Sequence, residues 1–304
     1  MAKVIRLCSL ECAQATVWQR YEAERARLDK KEGSLSELIQ RFFQSQDFKD
    51  LSPTTQSDYR KYSLKVEEVF GRMRASSIKP EQVRRYMDLR GQRSRVQANR
   101  EKAFLSRVFQ WGYERGFVTN NPCKGVRKFT ERPRDRYITD EEYRVMYELA
   151  PLRLKVAMEI SYLCAARRGD VLRLKVGDLT NEGIFIKQGK TGKRQIKRWT
   201  PRLRAAIKLV EQQPRTITSL YIIHDGKGAP LTGGALYETW RTTKRKAARI
   251  LKGKLDFTFH DIKAKSISDY EGDKQRFLGH KSPSQVVVYD RKIEVVDSLD
   301  PDQK

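Results

Sequence analysis

The sequence predicts a mainly α-helical protein with one small antiparallel sheet (α+β), built as an N-terminal helical bundle followed by a second, mixed domain. Three observations predict it. Apolar residues recur at helical spacing through most of the chain. One stretch, GIFIKQGKTGKRQIKRWT, alternates as a β-hairpin does, with KTGK as its turn. Between them, TNNPCKGVRKFTERPRDRY has no apolar periodicity but carries two prolines and a glycine, and it divides a chain of 304 residues into two domains of ordinary size.

Taken in order, residues 1–32 read as one charge-rich helix, and 1–33 as an N-terminal extension ended by Gly33. Ser34 with Glu37 forms a capping box, and Leu35, Leu38, Ile39, Phe42 and Phe43 follow at helical spacing. Ser52 as N-cap and Pro53 at the first helical position open a helix that carries Tyr59, Tyr62, Val66, Val69 and Phe70 and stops at Gly71. Pro80 starts another with Val83, Tyr86 and Met87 on one side. A long helix from about Val96 to Arg115, with Leu105, Val108, Phe109 and Tyr113, ends at Gly116. The bundle therefore occupies 34–118 and a cationic linker 119–137. Its Lys124, Arg127, Lys128, Arg132 and Arg134 suit a strap along a phosphate backbone.

The second domain, 138–304, begins with a capping box at Thr139 and Glu142. Helices are predicted at 140–150, 152–165, 168–175, 201–213, 232–250 and 261–270, with a short strand at 221–223.

Composition restricts function. Lys and Arg number 63 against 38 Asp and Glu, a net charge of +25 that favours a polyanionic partner, most commonly nucleic acid. No apolar run approaches the roughly 18 residues of a spanning helix, and the N-terminus lacks the apolar core of a signal peptide. A soluble cytoplasmic protein is expected, without a membrane partner. The four cysteines show no zinc-like spacing, and no glycine-rich phosphate loop ends in Gly-Lys-Ser/Thr, so neither a metal nor a cofactor is expected.

Four islands in the second domain carry chemistry: CAARRGDVLRLKVGDL, QGKTGK, FHDIKAKS and LGHKSPSQVVVYD. A phosphodiester can be cut when a nucleophile attacks in line while cations hold its non-bridging oxygens and a donor protonates the leaving oxygen. Tyr289, nine positions after His280, offers the nucleophile and a covalent intermediate. Arg167 offers a planar fork for two phosphate oxygens. Only its spacing to Gly169 and Asp170 distinguishes it from Arg168, and Asp170, one helical turn on, is expected to orient it. Lys190 at the hairpin turn, flanked by Lys187 and Lys193, can reach into a groove to protonate a leaving 5′ hydroxyl. His260 and His280 are two of only three histidines; one can serve the tyrosine as base or hydrogen-bond donor, the other a phosphate oxygen. The third, His224, reads as structural.

In this order the islands resemble the conserved boxes of the tyrosine recombinases, the phage-integrase family. The bundle, especially LSPTTQSDYRKYSLKVEEVFG, resembles that family's core-binding domain, so the resemblance spans roughly residues 34–292. It implies a catalytic set of Arg167, Lys190, His260, Lys263, His280 and Tyr289, with DNA contacts from the strap and Lys193. It also implies a clamp around double-stranded DNA, a 3′-phosphotyrosine intermediate, a tetramer on two duplexes, DNA-bending accessory proteins and a nucleoid location in a bacterial host. Integration or excision of a phage or other mobile element is the implied role. A type IB topoisomerase, a chromosome-dimer recombinase and a catalytically weakened DNA binder are the alternatives. Three features depart from the family pattern. Lys263 stands where it usually has arginine, keeping the charge without the bidentate fork. The segment between His260 and His280 is short, and residues 1–33 are too short for a separate arm-binding domain.

Overall fold

The computed structural model describes residues 9, 12–31, 33–212, 219–279 and 282–293. It divides into two compact units, with the boundary between Arg132 and Pro133.

The first unit contains α1 (Gln14–Lys31), α2 (Leu35–Gln44), α3 (Gln46–Lys49), α4 (Pro53–Phe70), α5 (Pro80–Arg93) and α6 (Arg95–Glu114). Helix α1 begins later than the sequence suggested, since Ser9, Cys12 and Ala13 precede it without helical structure. Helix α6 packs against α2, α4 and α5. Their shared core includes Leu35, Ile39, Phe42, Val66, Val83, Phe104, Leu105, Val108 and Phe109, all buried. Two expected members of the apolar faces, Val69 and Tyr113, are instead exposed at 55% and 51%. The first capping box is also modified. Ser34 Oγ accepts from Glu37 N (3.2 Å), but the Glu37 carboxylate reaches past Ser34 to accept from Gly33 N (2.8 Å). The short α3 was not anticipated; Ser45 caps it, and Phe48 anchors it in the core.

The expected linker is largely fastened to this unit. Asn121 Nδ2 donates to Ser106 O (2.9 Å), and Cys123 is buried. Asn99 clamps the strap at Phe129, accepting from its N–H through Oδ1 and donating to its carbonyl through Nδ2, both at 2.9 Å. The Phe129 ring lies against Gly91, where an added Cβ would approach ring carbons to 2.6 Å. Lys124, Arg127, Lys128 and Arg132 remain exposed on the strap.

The second unit contains α7 (Asp140–Leu149), α8 (Leu152–Cys164), α9 (Arg168–Leu172), β1 (Gly183–Lys187), β2 (Arg194–Arg198), α10 (Pro201–Lys208), α11 (Gly233–Ile250), α12 (Asp261–Asp269), α13 (Lys274–Leu278) and α14 (Ser284–Val287). Thr139 and Glu142 form the full capping box of α7. Buried along most of its length, α8 packs against α7, α9, α10, α11 and α12 and forms the axis of the core. β1 and β2 pair antiparallel, with Phe185 opposite Ile196, and turn Ile184 and Ile186 inward. The expected strand at 221–223 is reduced to an isolated bridge between Lys175 and Tyr221. Helices predicted at 168–175 and 201–213 stop early, each followed by a short 3-10 turn. Among the described residues, no helix is long and apolar enough to cross a membrane.

Candidate active site

Four chain segments converge at one end of α8 and α12. The first leaves α8 through Ala165, whose φ of 50° is left-handed. A non-glycine residue held there stores strain that the surrounding packing must hold, and Ala165 is buried against Ile267 and Leu278. This sharp turn delivers Arg167 to the N-cap of α9, where Nη1 donates to Gln188 Oε1 (2.7 Å). Arg168 beside it is exposed, whereas Arg167 is half-buried.

Asp170, expected to orient Arg167, holds the neighbouring hairpin turn. Its buried Oδ1 accepts from the Arg173 guanidinium and from Gly189 N (2.9 Å), so the carboxylate fixes that turn. The reason is proximity: Gly189 packs so closely that an added Cβ would clash with Arg173.

Lys190 is exposed at the tip of that turn, which closes through Gly192 N to Gln188 O (2.8 Å). Lys193 is exposed too, and its stem lies against Gly279. Polar side chains of the hairpin cap the end of α13. Gln188 Nε2 donates to Leu278 O and Gln195 Nε2 to Arg276 O (both 2.8 Å), and Lys197 Nζ donates to Phe277 O. Those to Leu278 and Phe277 satisfy carbonyls at the helix end, and Arg276 O also accepts from Gly279 N (3.1 Å). Burial pushes the Lys197 ammonium down to about 8. Gly279 then ends α13 at φ 66°, where a side chain would be strained and would meet Gln195. His280, the next residue, lies outside the described residues.

The α12 segment supplies His260 at its N-cap and Lys263 one turn later. Lys263 is 1% exposed, and its Nζ has no hydrogen-bond partner among the described residues. Burial, followed by the nearby Arg167 cation, pushes its pKa down to about 7. Desolvation and the Lys263 charge lower His260 below its ordinary value, although part of the ring reaches solvent.

Tyr289, just after α14, is half-buried. Its ring centroid lies 5.2 Å from Lys263 Nζ and 5.9 Å from the His260 ring, which meets it edge-on. Its segment is fixed on both sides. Lys274 Nζ binds Asp290 (2.5 Å). Arg291 Nη1 donates to Asp261 Oδ1 (2.6 Å) and to Arg136 O (3.1 Å). Ser268 Oγ donates to Tyr289 O (3.3 Å) and accepts from Arg291 N (2.7 Å). Asp261 also accepts from Thr258 N and Oγ1 and from Arg134 Nη1 (2.7, 2.8 and 3.1 Å). Arg134, expected on a phosphate, is half exposed and also pairs with this buried carboxylate.

Arg167, Lys263, His260 and Tyr289 are thus brought together, with Lys190 near enough to act on the Lys263 charge. A cavity of about 520 Å³ opens beside Arg167 and His260, walled by Trp240 and Phe257 and rimmed by Arg168 and Arg241. His224 is buried elsewhere, its Nδ1 accepting from Gly226 N (3.1 Å). Sequence reasoning missed Gln188, Asp261 and Arg291. Each is a polar residue within or beside a recognised box, which was the available signal.

A tyrosine facing a histidine and a lysine, with an arginine charge beside those two, on this α+β unit defines the tyrosine-recombinase class of site. Residues 136–294 match the phage integrase family, and the chain belongs to it. The integrase of Escherichia phage HK022 is 30% identical over 199 residues, which are 62% of this chain and 56% of that protein. The chain thus spans about half the length of the curated relatives it matches. A lambda integrase dimer bound to a COC′ core site shares the fold at a TM-score of 0.74 and 19% identity, over 93% of this chain and 89% of that one. A lambda integrase tetramer bound to a Holliday junction does so at 0.73 and 20% identity, over 95% and 90%.

Proposed function

We propose that this chain is a site-specific DNA recombinase that cuts and rejoins strands through a 3′-phosphotyrosine. The placement of Lys263 and His260 against the Tyr289 ring, with the Arg167 charge beside both, carries this reading. Tyr289 Oη attacks the scissile phosphorus, forming the phosphotyrosyl bond as the bond to the 5′ oxygen breaks. His260, held neutral near pH 7 by its lowered pKa, accepts the phenolic proton. Arg167 and Lys263 hold the non-bridging oxygens, and exposed Lys190 protonates the leaving 5′ hydroxyl. In rejoining, a 5′ hydroxyl of the partner strand attacks the phosphotyrosine and the proton transfers reverse.

The substrate is double-stranded DNA, with the strap cations Lys124, Arg127, Lys128 and Arg132, and Lys193 of the hairpin, on the phosphates. The active assembly is a tetramer on two duplexes, and the role is integration or excision of a phage or other mobile element. Covalent capture tests the reading. Nicked duplexes selected for binding should yield a denaturation-resistant adduct through a 3′ phosphate. A protein that binds such duplexes and forms no adduct would be a DNA-binding regulator instead.

A further inference from the structure

Gln188 sits where three of the four islands meet. It is 7% exposed, at the end of β1. Its Oε1 accepts from Arg167 Nη1 (2.7 Å) and from Thr191 Oγ1 (3.0 Å). Its Nε2 donates to Leu278 O (2.8 Å), two residues before His280. Its main chain closes the hairpin turn, N–H to Lys193 O and carbonyl from Gly192 N, both at 2.8 Å. One amide therefore contacts the arginine box, the lysine turn and the Leu-Gly-His loop.

The amide suits this junction for a chemical reason. Arg167 needs an acceptor, and the Leu278 carbonyl needs a donor. A glutamine provides both in one planar group and remains uncharged. A carboxylate would offset the Arg167 charge and repel the carbonyl, while an apolar side chain would leave a buried carbonyl unsatisfied. The bond from Nη1 to Gln188 Oε1 fixes the plane in which the Arg167 guanidinium meets phosphate oxygens.

We propose that Gln188 is a positioning residue for strand cleavage, setting the direction of the Arg167 guanidinium and coupling it to the hairpin turn and to the Leu278–Gly279 loop. The proposal rests on the recombinase reading above. Gln188 itself touches no reacting atom. Its contribution appears in the rate of the chemical step at saturating DNA, and not in the affinity for DNA.

The experiment is a double-mutant cycle on adduct formation with nicked duplex, using Gln188→Met, Arg167→Lys and the double variant. Gln188→Met should slow the single-turnover rate at saturating DNA about 10- to 100-fold, the scale of a misplaced catalytic group. Its non-covalent dissociation constant should stay within about 3-fold of wild type, since phosphate contacts elsewhere dominate binding. In the Arg167→Lys background the same substitution should cost less than about 3-fold, because residues acting through one another are not additive. A wild-type rate for Gln188→Met, or an equal loss in both backgrounds, overturns the proposal and leaves the recombinase reading standing. A wild type that binds DNA and forms no adduct overturns both. If Gln188→Met does not fold, Gln188→Glu supplies the decision. It keeps the shape and the acceptor for Arg167 but repels the Leu278 carbonyl, so a wild-type rate from it overturns the coupling.

Discussion

Lys263 points a buried ammonium at the face of Tyr289, with Nζ 5.2 Å from the ring centroid and no hydrogen-bond partner among the described residues. An unpaired cation at 1% exposure is costly to fold around. Such a group is expected where an anion arrives later and completes the pairing. A bound phosphodiester is such an anion, so the cost of burial and the proposed function have the same cause.

Replacing the tyrosine separates chemistry from binding. Tyr289→Phe removes only Oη, and the ring keeps its packing against the cluster of Ala165, Ile267 and Leu278. Covalent capture of nicked DNA should be abolished while non-covalent affinity stays near wild type. An adduct forming at full rate would assign the nucleophile to another residue, with Tyr270 the nearest tyrosine in sequence.

Lys263 should trade stability against activity. Lys263→Met fills a similar volume without a charge and should raise folding stability by about 1–3 kcal/mol near pH 7, the usual cost of an unsatisfied buried polar group. Lys263→Ala should slow cleavage on the order of 100-fold, as removal of one charge-stabilising donor does. Denaturant melts and single-turnover cleavage measure the two effects. Wild-type cleavage by the alanine variant would make Lys263 a bystander.

The chemistry was more legible in the sequence than the packing around it. Arg167, His260, Lys263 and Tyr289 each sit in a short box whose spacing is local, and a sequence displays local spacing directly. The fastening of the cationic linker was not legible because it depends on Asn99 meeting Phe129, 30 residues away. The pairing of Arg134 with Asp261 was not legible because Asp261 lies 127 residues on. Helices α13 and α14 are too short to show a period. The hairpin itself was legible, but the bonds of Gln195 and Lys197 to carbonyls about 80 residues away were not.

The tyrosine segment should depend on Arg291. Its guanidinium is 7% exposed and its partner Asp261 1%, so this is a buried ion pair. Arg291→Met leaves Asp261 Oδ1 without that partner, at a cost of about 3 kcal/mol. The expected outcome is adduct formation slowed at least about tenfold by loss of positioning, with DNA affinity retained. Lys274→Met, which unpairs half-buried Asp290, should have a smaller effect. Equal adduct rates for Arg291→Met and wild type would remove the latch role.

Binding should be strongly salt-dependent. With a net charge of +25, Lys and Arg on the phosphates release condensed counterions. The log–log slope of affinity against salt is expected to be steeper than about −4 for duplex DNA. Titrations at several salt concentrations give the slope directly, and a flat response would remove nucleic acid as the principal ligand.

The pH dependence of cleavage should carry the signature of Lys263. Its folded pKa is pushed down to about 7, while in the unfolded chain it titrates near 10.4. Between those values the unfolded state binds the extra proton, so this group makes folding stability rise with pH across the window and contributes no slope below about 7. Activity runs the other way. The phosphate needs the protonated amine, so the second-order rate of adduct formation at low DNA should fall as pH rises through about 7. At saturating DNA the bound phosphate favours the ammonium, and the same limb should move to higher pH. Lys263→Arg carries a cation that does not titrate in this range, so the alkaline limb should disappear at both DNA concentrations. The acid limb, set by His260 below its ordinary value, should remain in both proteins. Single-turnover rates from about pH 5 to 9 on the two proteins decide the matter. An alkaline limb unchanged in the arginine variant would assign it to a group other than Lys263.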